Sequence, residues 1–240
     1  MKDINQLLKK LSFGATHIIS NPETIEKMVK QGVIFETKQP QNTEEVINEL
    51  FEKRKADSLE EIIERFPLPP KIANPTLLSL YDEVRECLIF SLYGAAISLS
   101  AILVEFSLKH SIVKHNKGYE YDKQEWDRVE NMELGPATIE ARELDLIDDL
   151  WKEKLENFRK DIRNPYLHYN IKKITKDVIA HDVKMVDINT QQVTKMDIVA
   201  EDNPITWVFA KKFVDKDLAF NAFIFADSLV KYLFEEGKDK

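Results

Sequence analysis

Cysteine is nearly absent: Cys87 is the only one in 240 residues. A single thiol excludes an internal disulfide framework and a multi-thiolate metal site, and it points to a reducing compartment. Glycine is also scarce, with six in the whole chain. They form neither G-x-x-x-x-G-K-[ST] nor G-x-G-x-x-G, so the two common backbone cradles for phosphate are missing. A nucleophile elbow of the G-x-S-x-G kind is absent, as is the aromatic signature of an RNA-recognition sheet. The five histidines, His17, His110, His115, His168 and His181, include no His-x3-His pair, so the sequence offers no metal site and calls for no cofactor. Met1–Gly14 is charged and has no clean apolar core, so it does not read as a signal peptide. Cytoplasmic residence is the resulting expectation.

Charge is missing from one long stretch. Cys87–Val104 carries none over 18 residues, the lower edge of a membrane-spanning length. Ser91, Gly94, Ser98 and Ser100 interrupt it, and charged residues lie close on both sides. It reads as a pair of buried core helices, with no membrane partner. Positive charge is in deficit overall, at a net −8, which argues against a surface coated in nucleic acid. The exception is Lys152–Lys176, where eight Lys/Arg, Lys172 among them, face three acids, giving +5 in a chain that is otherwise −13.

Helix signals dominate what is present. Asn21-Pro22 opens a short helix that Gly32 closes, and Asn42-Thr-Glu-Glu45 and Ser58-Leu-Glu-Glu61 are capping boxes. Pro67-Leu-Pro-Pro70 reads as a stiff connector. Residues 1–70 are thus expected to form an all-helical extension, and 71–240 the main domain. In the latter, Leu77–Phe90 and Ala95–His110 have helical composition, with a turn or kink at Ser91–Gly94. A short helix is expected at Lys123–Glu130 and another at Pro136–Leu146. Asp148 caps a long amphipathic segment whose buried face is Trp151, Leu155, Phe158 and Ile162. Val178–Ile188 and Val193–Val199 predict a hairpin around Asn189-Thr-Gln-Gln192, with Ile205–Phe209 as a third strand, in an insertion spanning about 177–210. A last helix runs through Leu218–Phe234 and stops at Gly237.

The long segment ends in Asp161-Ile-Arg163-Asn164-Pro165-Tyr166-Leu-His168-Tyr169-Asn170. Proline disfavours helix at the residue before it, so the helix is expected to break at Asn164 and restart at Pro165. That would set Arg163 and His168 around a helix N-terminus, a site for an anion such as phosphate. The plainer reading is a helix cap followed by a partly buried histidine.

Arg163-Asn-Pro-Tyr-Leu-His168 resembles the Arg-x4–6-His motif of the HEPN (higher eukaryotes and prokaryotes nucleotide-binding) superfamily. The passage Val84–Lys109 resembles that family's first helical hairpin, which ends near a glutamate and a lysine, as Glu105 and Lys109 stand here. The resemblance covers about residues 76–170 and 215–236. It implies a mainly α, HEPN-like helical bundle with an N-terminal helical extension and a small β-hairpin insertion before the last helix. It also implies a homodimer in which Arg163 and His168 of two chains share one cleft. The activity implied is that of a metal-independent endoribonuclease, a toxin or antiviral-defence effector with RNA as substrate and an antitoxin or second enzyme as partner. In that scheme neutral His168 accepts a proton, Arg163 stabilises the phosphorane, and Asn164 orients substrate or caps the helix. Tyr166 and Tyr169 stack on a base or pack internally, Lys172 adds positive charge, and Glu105 is either a paired acid or an exposed helix end. The alternative is a catalytically inactive HEPN-fold module that binds nucleotide, dimerises or regulates a partner.

Overall fold

The computed structural model describes residues 63–71, 74–118, 121–186 and 193–234, with short helical pieces at 30, 47–52 and 54–55. The chain forms two compact units, Met1–Ala56 and Asp57–Lys240. The capping signals at Asn21, Asn42 and Ser58, the hairpin turn at Asn189–Gln192 and the stop at Gly237 lie outside the described residues. The second unit is mainly α-helical with one small antiparallel sheet, and it carries every residue of the expected site.

Helix α1 (Pro75–Ile89) starts where Asn74 places its side-chain oxygen on the Leu77 N–H at 2.9 Å, with Pro75 as first helical residue. Leu77, Tyr81, Val84 and Leu88 form its buried stripe. Ser91, at φ 54°, turns the chain into α2 (Tyr93–Lys117). This is the central helix: Ala96, Ile97, Ala101, Leu103, Val104, Leu108 and Ile112 have no exposed surface at all. Its buried Ser107 and Ser111 donate back to the carbonyls of Leu103 and Leu108, at 2.6 and 2.7 Å, so their hydroxyls cost little inside the core. α2 is also long and apolar enough to cross a membrane, but 61% of its most apolar window is buried within the unit.

Helices α3 (Lys123–Glu130), α4 (Leu134–Glu143) and α5 (Asp149–Phe158) come next. Asp122 and Asp148 cap α3 and α5 by accepting from the N–H of Glu125 and Trp151, each at 2.8 Å. Trp151, Leu155 and Phe158 bury the expected face of α5. After α6 (Asn164–Leu167) and α7 (Ile171–Thr175) comes the hairpin of β1 (Ile179–Val186) and β2 (Val193–Val199). Its register pairs Ile179 with Val199 and Val186 with Val193, with an irregularity between Ala180 and Val183. Helix α8 (Pro204–Phe234) closes the unit, and its Ala219, Ala222, Phe223, Ala226, Leu229 and Val230 pack into the core. Phe66, upstream of α1, stacks edge-on against Phe223 at 5.8 Å.

Two expectations need correction. Ile205–Phe209 is not a third strand; it is the first turn of α8. The Asn203-Pro204 pair starts a helix there, and its capping signal overrides the β-branched composition behind it.

The second correction concerns the segment around Pro165. The helix does not break at Asn164, which is helical at φ −66°, ψ −44°. Instead Arg159–Arg163 forms a π-helical turn, with the Asn164 N–H bonded to the Arg159 carbonyl. The wider turn carries the helix past proline, which has no N–H to give and would otherwise crowd the carbonyl one turn back. The helix then ends at His168. The N–H groups of Asn170 and Tyr169 fold back on the carbonyls of Pro165 and Tyr166, at 2.7 and 3.2 Å. This is a Schellman closure with Tyr169, φ 48°, in the left-handed position that glycine usually fills. The anion site expected at a helix N-terminus therefore does not exist. The end that meets His168 is the carbonyl end, whose dipole favours cations.

Candidate functional site

The π turn aims Arg163 at the middle of α2. Its Nε and Nη2 donate to Glu105 Oε2 at 3.2 and 3.0 Å, and Nη1 donates to Asn164 Oδ1 at 3.0 Å. The other carboxylate oxygen, Glu105 Oε1, accepts from Lys109 Nζ at 2.9 Å. Lys109 also donates to the Glu130 carbonyl at 3.0 Å, which ties α3 to α2. These side chains are mostly covered, at 12% exposed for Arg163, 16% for Glu105 and 12% for Lys109. Glu105 is thus a paired, half-buried acid, one of the two roles open to it from sequence. A guanidinium has five donors. Three are engaged here, so Arg163 is held in one orientation with two N–H groups left to offer a ligand.

Beside this cluster lies an open groove of about 480 Å³. Ile102, Glu105, Phe106 and Lys109 of α2 form its floor. Arg163 and Leu167 make one wall; Trp126, Asp127 and Glu130 of α3, with Tyr121 before it, make the other. Phe106 and Trp126 stack at 6.2 Å and 21°. His110 meets the edge of this aromatic cluster, 5.5 Å from the Phe234 ring, and burial, followed by Lys114, pushes its pKa down.

The other predicted residues separate into three groups. Asn164 joins the cluster as the ligand of Arg163 Nη1, not as a helix cap. His168, Tyr169 and Lys172 are exposed, and none of them lines the groove. Among the described residues the His168 ring has no hydrogen-bond partner. Within one chain Arg163 lines the groove and His168 does not. Of the two roles offered to Tyr166 from sequence, base stacking is the one that fails: the side chain is buried, and its hydroxyl donates to Asp215 Oδ1 at 2.8 Å. It cannot stack on a base. Burial first, and then the bond to Asp215, hold its phenol protonated well above the usual tyrosine range.

Behind Tyr166 stands a support that sequence reasoning missed. Asp215 of α8 also accepts from Lys211, whose ammonium lies over the rings of Tyr166 and Tyr169 at 5.3 and 5.6 Å. The same pattern recurs further along α8, where Asp227 accepts from the Tyr81 hydroxyl at 2.8 Å and from Lys231 at 2.9 Å. The signal was available in part: Lys211/Asp215 and Asp227/Lys231 are i,i+4 charge pairs on a helix that also carries Lys212, Lys216 and Asp217. Gly94 belongs to this arrangement as well, because a Cβ there would meet Asp215 Oδ2 at 2.9 Å. The groove's far wall was not legible, since nothing in the local pattern of α3 distinguishes Asp127 and Glu130 from any solvated face. Comparison with family models, curated proteins and solved structures finds no match to this chain.

Proposed function

We propose that the protein is an endoribonuclease of HEPN type, a toxin or defence effector that works as a homodimer. One observation carries this reading. Glu105 and Lys109 lie in the helix α2, whose first part resembles the family's first hairpin, and Arg163 opens the stretch that resembles its motif. These two segments, 58 residues apart, meet in direct hydrogen bonds. A chance match of either segment would not require the other to be its partner.

In this mechanism the ribose 2′-hydroxyl attacks its own phosphodiester. Its proton passes to a base, the P–O5′ bond breaks, and the departing 5′-oxygen receives a proton. In this scheme the two remaining donors of Arg163 bind the phosphate oxygens as charge builds on them. The base would be His168 of the second copy, exposed and unencumbered on the surface of its own chain. Asn164 acts through Arg163 by fixing its plane, and Glu105 does the same from α2.

A second reading, a nucleotide-binding or regulatory module without catalysis, draws on the groove's charge. Three carboxylates, Glu105, Asp127 and Glu130, face two cations, Lys109 and Arg163, which would weaken the hold on a long polyanion. The deciding experiment measures RNA cleavage under chelator by wild type, His168→Ala and Arg163→Lys, with melting curves for all three. Loss of roughly 10²–10⁴-fold in His168→Ala at unchanged melting temperature is the expected result. Normal cleavage by His168→Ala, or activity from a species that sediments only as monomer, would refute the composite site.

A further inference from the structure

The groove has two unlike ends. The Arg163 side offers cationic donors. The α3 side carries Asp127 and Glu130, three residues apart on one helix, and among the described residues neither carboxylate has an ion-pair or hydrogen-bond partner. Glu105 is different, because Arg163 and Lys109 already neutralise it. Ile102, Phe106 and Trp126 line the groove between them, with Tyr121, 77% exposed, beside these rings, while Lys109 bridges Glu105 to the Glu130 backbone carbonyl along one edge. About 480 Å³ suits a ligand of nucleotide size.

A ligand that fits must therefore be anionic at one end, flat and apolar in the middle, and a hydrogen-bond donor at the other. A free phosphate satisfies only the first requirement, and an organic cation only the last two. A nucleotide with an amino-bearing base satisfies all three. We propose that the groove is a base-recognition subsite selecting cytosine over uracil, with the phosphate on Arg163, the ring against Tyr121 and Trp126, and the base's amino group on Asp127 and Glu130. Cytosine presents the N4 amino group, which donates to carboxylates. Uracil presents a single N3–H between two carbonyl oxygens, so one of the two acids would face a carbonyl across a short gap. Stacking does not discriminate between the two rings, since every base has a π-face. Selectivity comes from the carboxylates, and Tyr121 contributes affinity alone.

The inference rests on the ribonuclease reading for its role in cleavage, but it is testable without cleavage. Calorimetry with the full-length protein compares 3′-cytidine monophosphate and 3′-uridine monophosphate, for wild type, D127N/E130Q and Tyr121→Ala. Wild type should prefer the cytidine nucleotide by about tenfold, the scale of one good base contact. In D127N/E130Q the ratio should fall towards one, because an amide serves either base. Tyr121→Ala should weaken both nucleotides by a similar factor of about tenfold and leave their ratio intact. All these side chains are exposed and sit outside the core, so folding is not at stake. Equal affinity of the wild type for the two nucleotides overturns the proposal, as does an unchanged preference in D127N/E130Q. Cleavage of short RNAs containing one cytidine or one uridine is measured in parallel. A cytidine preference in binding without any cleavage sinks the ribonuclease reading and leaves the subsite standing.

Discussion

Replacing Glu105 with glutamine asks how much the cluster around Arg163 holds together. The carboxylate accepts three hydrogen bonds, one from Lys109 and two from Arg163. Bonds to charged groups contribute about 1.5–3 kcal/mol each, but they do not add when they share one acceptor. Removing one partner of a fully buried ion pair costs about 3–5 kcal/mol. Glu105 is 16% exposed at the floor of an open groove, so water can partly rescue the two stranded cations. Glutamine also keeps one accepting oxygen while presenting its amide N–H₂ to a cation. The expected cost is about 3 kcal/mol, which for a chain of this size lowers the melting temperature by roughly 6–12 °C. The control is Asp82→Asn, which breaks the pair with Arg85 at 3.5 Å where the acid is 63% exposed. Such surface pairs are worth about 0.5 kcal/mol, so this variant should melt close to wild type. Thermal unfolding at low and high salt, monitored by circular dichroism, compares the three proteins. If Glu105→Gln melts with Asp82→Asn, the carboxylate does not hold Arg163 in place and the site is not built around it.

Gly94→Ala should destabilise by about 1–2 kcal/mol in urea titrations, although alanine is the better helix former, because the new methyl displaces the Asp215 carboxylate from Tyr166; a more stable variant would show that Asp215 moves freely. His110→Phe should flatten the acid side of the stability profile. The folded pKa of His110 lies below its ordinary value, so the unfolded chain binds the extra proton, and stability is lost as pH falls below about 6.5. Among the described residues its buried Nδ1 has no partner, so phenylalanine should cost little at pH 8; an unchanged acid limb would refute this. Glu125→Gln behaves in the opposite way. Arg128 first, and then Asn116, hold the Glu125 carboxyl down to about 2. The variant should lose about 1 kcal/mol at pH 7, a modest figure because Arg128 is 41% exposed. That difference should fade as pH falls from about 4.3 towards 2, and a gap that persists at pH 2 would contradict the pairing.

The sequence was most informative where a short-range signal had no competitor. Asp148 caps the helix expected of it, and Lys123–Glu130 has the boundaries assigned to it. It misled where two local rules met. At Asn164-Pro165 the proline rule predicted a break, but a wider helical turn resolves the clash more cheaply because α5 is already anchored by Trp151, Leu155 and Phe158. At Asn203-Pro204 the cap prevailed over the β-branched residues beyond it. For the site, Arg163 and Glu105 were individually visible, but their contact is a product of packing. Tyr166 illustrates the opposite limit: its role is set by Asp215, 49 residues away, and no pattern around the motif announces it.

The two tyrosine–aspartate bonds on α8 also settle a question of phase. Ala219, Ala222, Ala226 and Val230 recur at nearly one-turn intervals, so their apolar face would look much the same after the helix slid by one turn, about 5.4 Å. A core of that kind has several near-equivalent dockings. Asp215 and Asp227 stand twelve residues, or about 18 Å, apart, and each meets its own tyrosine only in the native docking. Any slip would strand two carboxylates and two phenols at once inside the protein. The bonds thus act like a pair of index marks on a sliding scale: one aligned mark would fix the position, and two make a misread register costly along the whole length of the helix.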